Sequence, residues 1–310
     1  VEKNKMSNKQ QGWAIVVHGG AGASMDYQDG CEHAARRARE RLEQGGEALD
    51  AAVSAVVSME EDGRFNAGTG AALSLDGATI EMDASVMDTR GRVGAVACVR
   101  NVKNPVLLAR SVAETPHCLL AGEGAERLAR ALGLSPHPGP GDHQREQHRK
   151  ILRALAGSMP AMPGIPNSDF ARFWNYNTPL QLPKGAACDT VGAVVRDPEG
   201  NFAVAGSTGG SAPSLLGRVG DTPIIGSGFY AGPAGAVAAS GIGEQIMRHL
   251  LARTVYQWIA DGIPLAQALQ RGVGMIDKKF EIGLIAVSRT EAGSATNQDE
   301  GMPHATICER

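Results

Sequence analysis

The chain has 310 residues, with 30 Lys and Arg against 33 Asp and Glu and a formal charge of −3 at neutral pH. That length holds one large domain or two ordinary ones around a sizeable core, and the balanced charge offers no basic field for nucleic acid. No apolar run approaches the ~20 residues of a membrane-spanning helix, so neither nucleic acid nor a membrane is an expected partner.

Val1–Gly12 is polar and reads as neither a signal peptide nor a transit sequence. "WAIVVHGGAGA" (13–23) predicts a buried strand entering a Gly-rich turn. Residues 28–46 have helical composition and stop at Gly45-Gly46. A second helix is predicted over 47–63, with Leu49, Val53, Val56 and Val57 on one face. Two short apolar segments flank Asp76-Gly77 within 65–88, a hairpin signal. A strand is predicted over 94–99, and helices over 104–115 and 122–133. From 134 to about 187 the sequence turns to Pro, Gly and charge, with one short helix near 144–156; a run of this kind is a linker or a functional loop. "TVGAVVRD", the turn Pro198-Glu199-Gly200-Asn201 and "FAVAGSTGG" then form a hairpin. Helices over 243–262 and 264–275 and a strand over 282–289 complete the reading. Hairpin-connected strands followed by helices, in two blocks, predict an α+β fold with antiparallel sheets.

The chemistry narrows by elimination. Pairs such as Gly20/Gly22 and Gly68/Gly70 never extend to G-x-G-x-x-G, and there is no phosphate-binding G-x-x-x-x-G-K-[ST]. The histidines lack zinc spacing, and a G-x-S-x-G elbow is absent. The five cysteines (Cys31, Cys98, Cys118, Cys188, Cys308) are odd in number and form no C-x-x-C; reduced thiols in the cytoplasm are expected. What remains is Thr190, at the start of a core strand behind a loose run. A threonine hydroxyl is a weak nucleophile unless a base stands beside it, and its own α-amine can be that base. This needs cleavage of the Asp189–Thr190 bond. The plain alternative is that Thr190 merely begins a strand after a surface loop.

"HGGAGA", "FNAGTGAAL", "EMDASVMD", "VKNPVLLARSVAETPHCLLAGEGAE", "DTVGAVV", "STGG" and "GRVGDTPIIGSG" together resemble the plant-type L-asparaginases, or isoaspartyl peptidases. These are N-terminal-nucleophile hydrolases related to glycosylasparaginase and threonine aspartase. The resemblance runs from about Trp13 to Thr306. It implies a four-layer αββα sandwich, cut at Asp189/Thr190 into an α subunit (1–189, with about 134–189 as a flexible tail) and a β subunit (190–310) that form one structural domain. Thr190 would be the nucleophile and Thr208 its hydrogen-bonded partner. Arg218 would hold the substrate's α-carboxylate, a planar fork meeting a carboxylate, and Asp221 its α-ammonium. Ser240 and Gly241 would supply the oxyanion hole, Gly243 would line the substrate, and Asn66 would lie near the nucleophile. The main-chain carbonyls of Met59, Glu60, Asp62, Phe65, Ala67 and Thr69 would bind a sodium ion. No organic cofactor is implied, and a dimer of αβ units is.

The implied reaction is hydrolysis of L-asparagine and β-aspartyl dipeptides through a β-aspartyl ester. A glycosylasparaginase-like amidase and a non-cleaving amino-acid binder are the rivals. Where plant-type asparaginases carry Gly before the nucleophile, this chain has Asp189, as glycosylasparaginase and threonine aspartase do. Gly209 follows the asparaginase pattern, since glycosylasparaginases have Asn there. Ile242 and Ile282 depart from it.

Overall fold

A computed structural model describes residues 12–157, 160–162, 165–178 and 190–309. It is a mixed α/β fold with two sheets. The larger runs in the order β11 (His304–Cys308), β1 (Ala14–His18), β5 (Thr190–Arg196), β6 (Phe202–Thr208), β2 (Met82–Asp88), β3 (Val93–Val99) and β4 (Leu119–Ala121). The smaller runs β10 (Ala292–Thr296), β9 (Ile282–Ser288), β8 (Gly235–Gly241) and β7 (Phe229–Gly232). Every pairing is antiparallel except β3 with β4.

The apolar runs read as continuous because both faces of their strands are covered. On β1, Ile15 and Val17 join a core with the helices α1 (Gln28–Glu43), α2 (Ala48–Asp62), α3 (Pro105–Val112) and α4 (Gly122–Ala131). Ala14 and Val16 face the other way, into a core shared with Phe229, Ala238, Ile285 and Val287 of the smaller sheet. The outer face of that sheet, with Val237 and Leu284, packs on α7 (Gly243–His249), α8 (Leu251–Ala260) and α9 (Leu265–Gly274).

The β5–β6 hairpin fixes the site. Its turn closes through Gly200 N–H on the Asp197 carbonyl at 3.0 Å, with Gly200 in the left-handed region at φ 81°. The buried Asp197 carboxylate also accepts the Ala48 N–H at 3.2 Å. An acid there satisfies a free N–H at the start of α2 and ties the hairpin to it.

Several expectations change. Asp76-Gly77 does turn, with Gly77 N–H on the Ser74 carbonyl at 2.9 Å, but only the second arm becomes a strand. The Ala72 N–H that a first arm would use is taken by the Asn66 side chain at 2.8 Å. The helix read over 243–262 is broken at Leu250, a non-glycine residue at φ 45°. In the run from 134, the short helix expected near 144–156 is α5 (Asp142–Leu155); α6 (Asn167–Arg172) is a second, unexpected one, and Ile151, Leu155 and Phe170 are buried in the core beneath the smaller sheet. No helix among the described residues is long and apolar enough to cross a membrane.

Candidate active site

Thr190 is the first residue of β5, and antiparallel register sets it opposite Thr208, the last residue of β6. The Thr190 hydroxyl donates to Thr208 Oγ1 at 3.1 Å, which also accepts the Gly210 N–H at 3.0 Å. Asp189 lies outside the described residues, as does Cys188.

Asn66 reaches this pair through the loop after β6. Its Nδ2 donates to the Gly210 carbonyl at 2.7 Å, and its main-chain carbonyl accepts the Gly209 N–H at 2.9 Å. A Cβ on Gly209 would overlap Asn66 Oδ1 and the Ala72 nitrogen. This packing excludes the Asn that glycosylasparaginases carry at that position.

Ser240 and Gly241 end β8 and line the same small cavity as Thr190, Thr208, Arg218 and Asp221. The buried Ser240 Oγ accepts the Ala21 N–H at 3.0 Å, so its own proton is the one left to give. Gly241 stands at φ 139°, and a Cβ there would overlap the Glu281 carbonyl.

Arg218 and Asp221 close the other end. The Arg218 fork donates to Glu244 through Nε at 3.0 Å and Nη2 at 2.9 Å. Asp221 is buried, and its Oδ2 makes no hydrogen bond to any of the described residues. Burial pushes its carboxyl up to about 7, against the pull of Arg218. Gly243 leaves the room between them, since a Cβ there would stand 2.8 Å from Arg218 Nη2 and 2.9 Å from Asp221 Oδ1. A guanidinium and an under-bonded carboxylate side by side suit an α-amino acid zwitterion.

Two residues here escaped the sequence reading. Glu244 orients Arg218; its signal is its place right after Ser240, Gly241 and Gly243, the residues expected at the oxyanion hole and the substrate. Asp83 stands directly opposite Thr208 in the β2–β6 register. Its carboxylate, pushed up to about 6 by burial, accepts Cys98 N–H at 2.9 Å and Gly220 N–H at 3.4 Å. It thereby fastens the Arg218–Asp221 loop to the sheet.

The loop expected to bind sodium curls behind the site. Glycines 68 and 70 bring the Glu60 and Gly63 carbonyl oxygens to 2.7 and 2.8 Å from where a Cβ would stand. The Phe65 carbonyl is closer still to Gly70. Thr69 Oγ1 is buried there without a hydrogen-bond partner among the described residues. Among the described residues, no group of three His, Cys, Asp or Glu side chains could hold a metal ion. The Glu60 carboxylate turns away, buried on Asn104 Nδ2 and the Val106 N–H, both at 3.0 Å.

A model of the asparaginase family matches residues 11–310. The chain belongs to the asparaginase family. An isoaspartyl peptidase/L-asparaginase of Macaca fascicularis is 38% identical over 302 residues, covering 94% of this chain and 92% of its own length. The mouse (Mus musculus) protein of the same name is 38% identical, covering 94% and 87%. A plant-type L-asparaginase of Pyrobaculum calidifontis is 37% identical, covering 88% and 89%. The residues matched to this asparaginase family run through both sheets and include Thr190 and Arg218.

Proposed function

We propose that this chain is an autoproteolytic threonine amidohydrolase that releases L-aspartate from L-asparagine and β-aspartyl dipeptides. One observation carries the reading: the Thr190 hydroxyl, at the head of a buried strand, is bonded to Thr208 in a cavity that also holds Arg218 and Asp221. The three stacked cores support a four-layer αββα arrangement of the N-terminal-nucleophile type.

In the precursor, the Thr190 hydroxyl attacks the Asp189 carbonyl. The acyl group moves from nitrogen to oxygen, and water hydrolyses the ester. This leaves an α subunit (1–189) and a β subunit (190–310) with a free Thr190 amine. That amine then serves as base while the hydroxyl attacks the substrate's β-carbonyl. Arg218 and Asp221 hold the substrate's α-carboxylate and α-ammonium, and Gly243 gives it room. Ser240 O–H and Gly241 N–H face the developing oxyanion. Ser240→Ala should lower kcat by about 10²-fold with little change in KM; an unchanged kcat would remove Ser240 from that role. Thr208 holds the hydroxyl, and Asn66 holds Thr208 through Gly210.

Sodium would be held by the carbonyls of Met59, Glu60, Asp62, Phe65, Ala67 and Thr69. The curl of the loop and the orphan Thr69 hydroxyl support the fit. A hard cation would pin the segment that carries Asn66. Exchanging sodium for a bulky organic cation should lower the melting temperature, and no shift would argue against the site. The four described cysteines are free, which supports a reducing, cytoplasmic setting; cell fractionation checks it. A dimer of αβ units is the assembly, measurable by sedimentation.

The deciding experiment combines a denaturing gel, intact mass and turnover. Two fragments are expected, the smaller beginning at Thr190, with hydrolysis of β-aspartyl-leucine and L-asparagine. Turnover of only a glycosylated asparagine, or a chain that never cuts and never hydrolyses, would overturn the proposal. Gly209, packed against Asn66, disfavours the first outcome.

A further inference from the structure

Residues 209–228, the loop that carries Arg218 and Asp221, form neither helix nor strand. With no ladder to satisfy it, such a backbone depends on side chains from elsewhere to hold it. Arg218 lines the Thr190 cavity and also a second cavity, which Phe170, Phe173 and Asn175 line with it. Those three residues lie ahead of residue 190, in α6 and just after it. Phe170 and Tyr176 are buried in the core beneath the smaller sheet, and the Trp174 ring lies tilted on Tyr176 at 4.7 Å between centroids. Two buried rings thus anchor the stretch on either side of Phe173.

The anchored stretch grips the loop. Asn175 Nδ2 donates to the Leu216 carbonyl at 3.0 Å, and Asn175 Oδ1 accepts the Leu216 N–H, also at 3.0 Å. One carboxamide thereby satisfies both main-chain groups of one residue, as a neighbouring strand would. The Tyr176 hydroxyl donates to the Ser214 carbonyl at 3.0 Å. Glu81, just before β2, takes the Gly217 N–H at 2.7 Å, and the Arg218 N–H bonds to the Leu215 carbonyl at 3.2 Å. The guanidinium therefore stands on backbone that Asn175 has already fixed.

Resting on the role proposed for Arg218, we infer that Asn175 is a positioning residue for substrate capture: the tail of the α subunit presents the guanidinium of the β subunit to the substrate's α-carboxylate. A loop ordered on folding spares the binding step an entropy loss. Without Asn175 that loss returns to the binding step and raises KM. Attack on the β-carbonyl is left alone, because Thr190 and Thr208 are held by the β5–β6 register and by Asn66 through Gly210.

The test uses the self-processed enzyme and β-aspartyl-leucine. Asn175→Ala should cut at Thr190 as wild type does and keep kcat within about twofold, while KM rises about five- to tenfold. In an Arg218→Leu background the same substitution should change kcat/KM by less than about twofold, since the group it positions is gone. Amide hydrogen exchange should quicken over 214–218 in Asn175→Ala and stay unchanged in β5 and β6, which shows that the variant folds. An unmoved KM, a kcat that falls as far as KM rises, a full effect in the Arg218→Leu background, or unaltered exchange over 214–218 overturns the inference and leaves the hydrolase reading intact. A wild type that cleaves no β-aspartyl peptide overturns the hydrolase reading, and this inference with it.

Discussion

Thr190→Ala should leave a chain of 310 residues that stays in one piece and hydrolyses no β-aspartyl substrate. Both losses come from one hydroxyl. Without it the Asp189–Thr190 bond meets no internal nucleophile, so no α-amine is freed, and the substrate carbonyl meets none either. Removing a covalent nucleophile costs at least about 10⁴-fold in kcat. The strand itself should survive. Val191, Ala193, Val194 and Val195 are fully buried and keep β5 between β1 and β6. The lost Thr190–Thr208 hydrogen bond is worth only about 1 kcal/mol. Thr190→Ser, which restores the hydroxyl, should restore cutting and part of the turnover. Intact mass, an N-terminal sequence of the smaller band and a turnover assay check all three. Two fragments from the alanine variant, or residual hydrolysis by it, would end the nucleophile assignment.

Arg218→Leu should lower kcat/KM by about 10²–10³-fold, expressed mainly in KM. The change removes the proposed partner of the substrate carboxylate and strands Glu244, to which two nitrogens of the fork donate. Arg218→Lys should fall between, because one ammonium cannot present two donor edges.

The neighbouring Asp221 adds a pH signature. Its carboxyl is pushed up to about 7 when the site is free, and only the ionised form attracts an α-ammonium. Substrate capture should therefore weaken as pH falls below about 7, and Asp221→Asn should abolish that dependence along with most of the affinity. The folding sign runs the other way. A carboxyl whose folded pKa lies above the unfolded value of 3.8 favours the fold at low pH, and this contribution is lost as pH rises through about 7. L-Aspartate should accordingly raise the melting temperature more above neutrality than below it, and an equal rise at both would contradict the role given to Asp221.

Much of this was legible because it is written in local patterns. β1, β5, β6 and β9 are dense in β-branched and small apolar residues, and the helices over 28–62 repeat at the helical period. Other features are set by distant partners. β10 and β11 are short, and only pairing with β9 and β1 makes them strands. α5 looks soluble except for Ile151, Leu152 and Leu155, whose burial depends on the far side of the smaller sheet. At the site, Thr190, Thr208, Arg218 and Asp221 stood out by motif. Asp83 and Glu244 did not, because a carboxylate in a sequence carries no sign of how deeply it will be enclosed.

The larger sheet interleaves strands from both sides of residue 190: β11, β5 and β6 from after it, β1, β2, β3 and β4 from before it. If the bond ahead of Thr190 is cut as proposed, neither piece can leave without dismantling a sheet and a core together. Folding then changes its molecularity. A precursor finds its strands within one chain, whereas separated fragments must meet by diffusion, so thermal unfolding of the cut enzyme gains a dependence on concentration. The proposed maturation would in that sense be a ratchet: the fold would have to be complete before the chain is severed, and the severed chain would carry no ready route back.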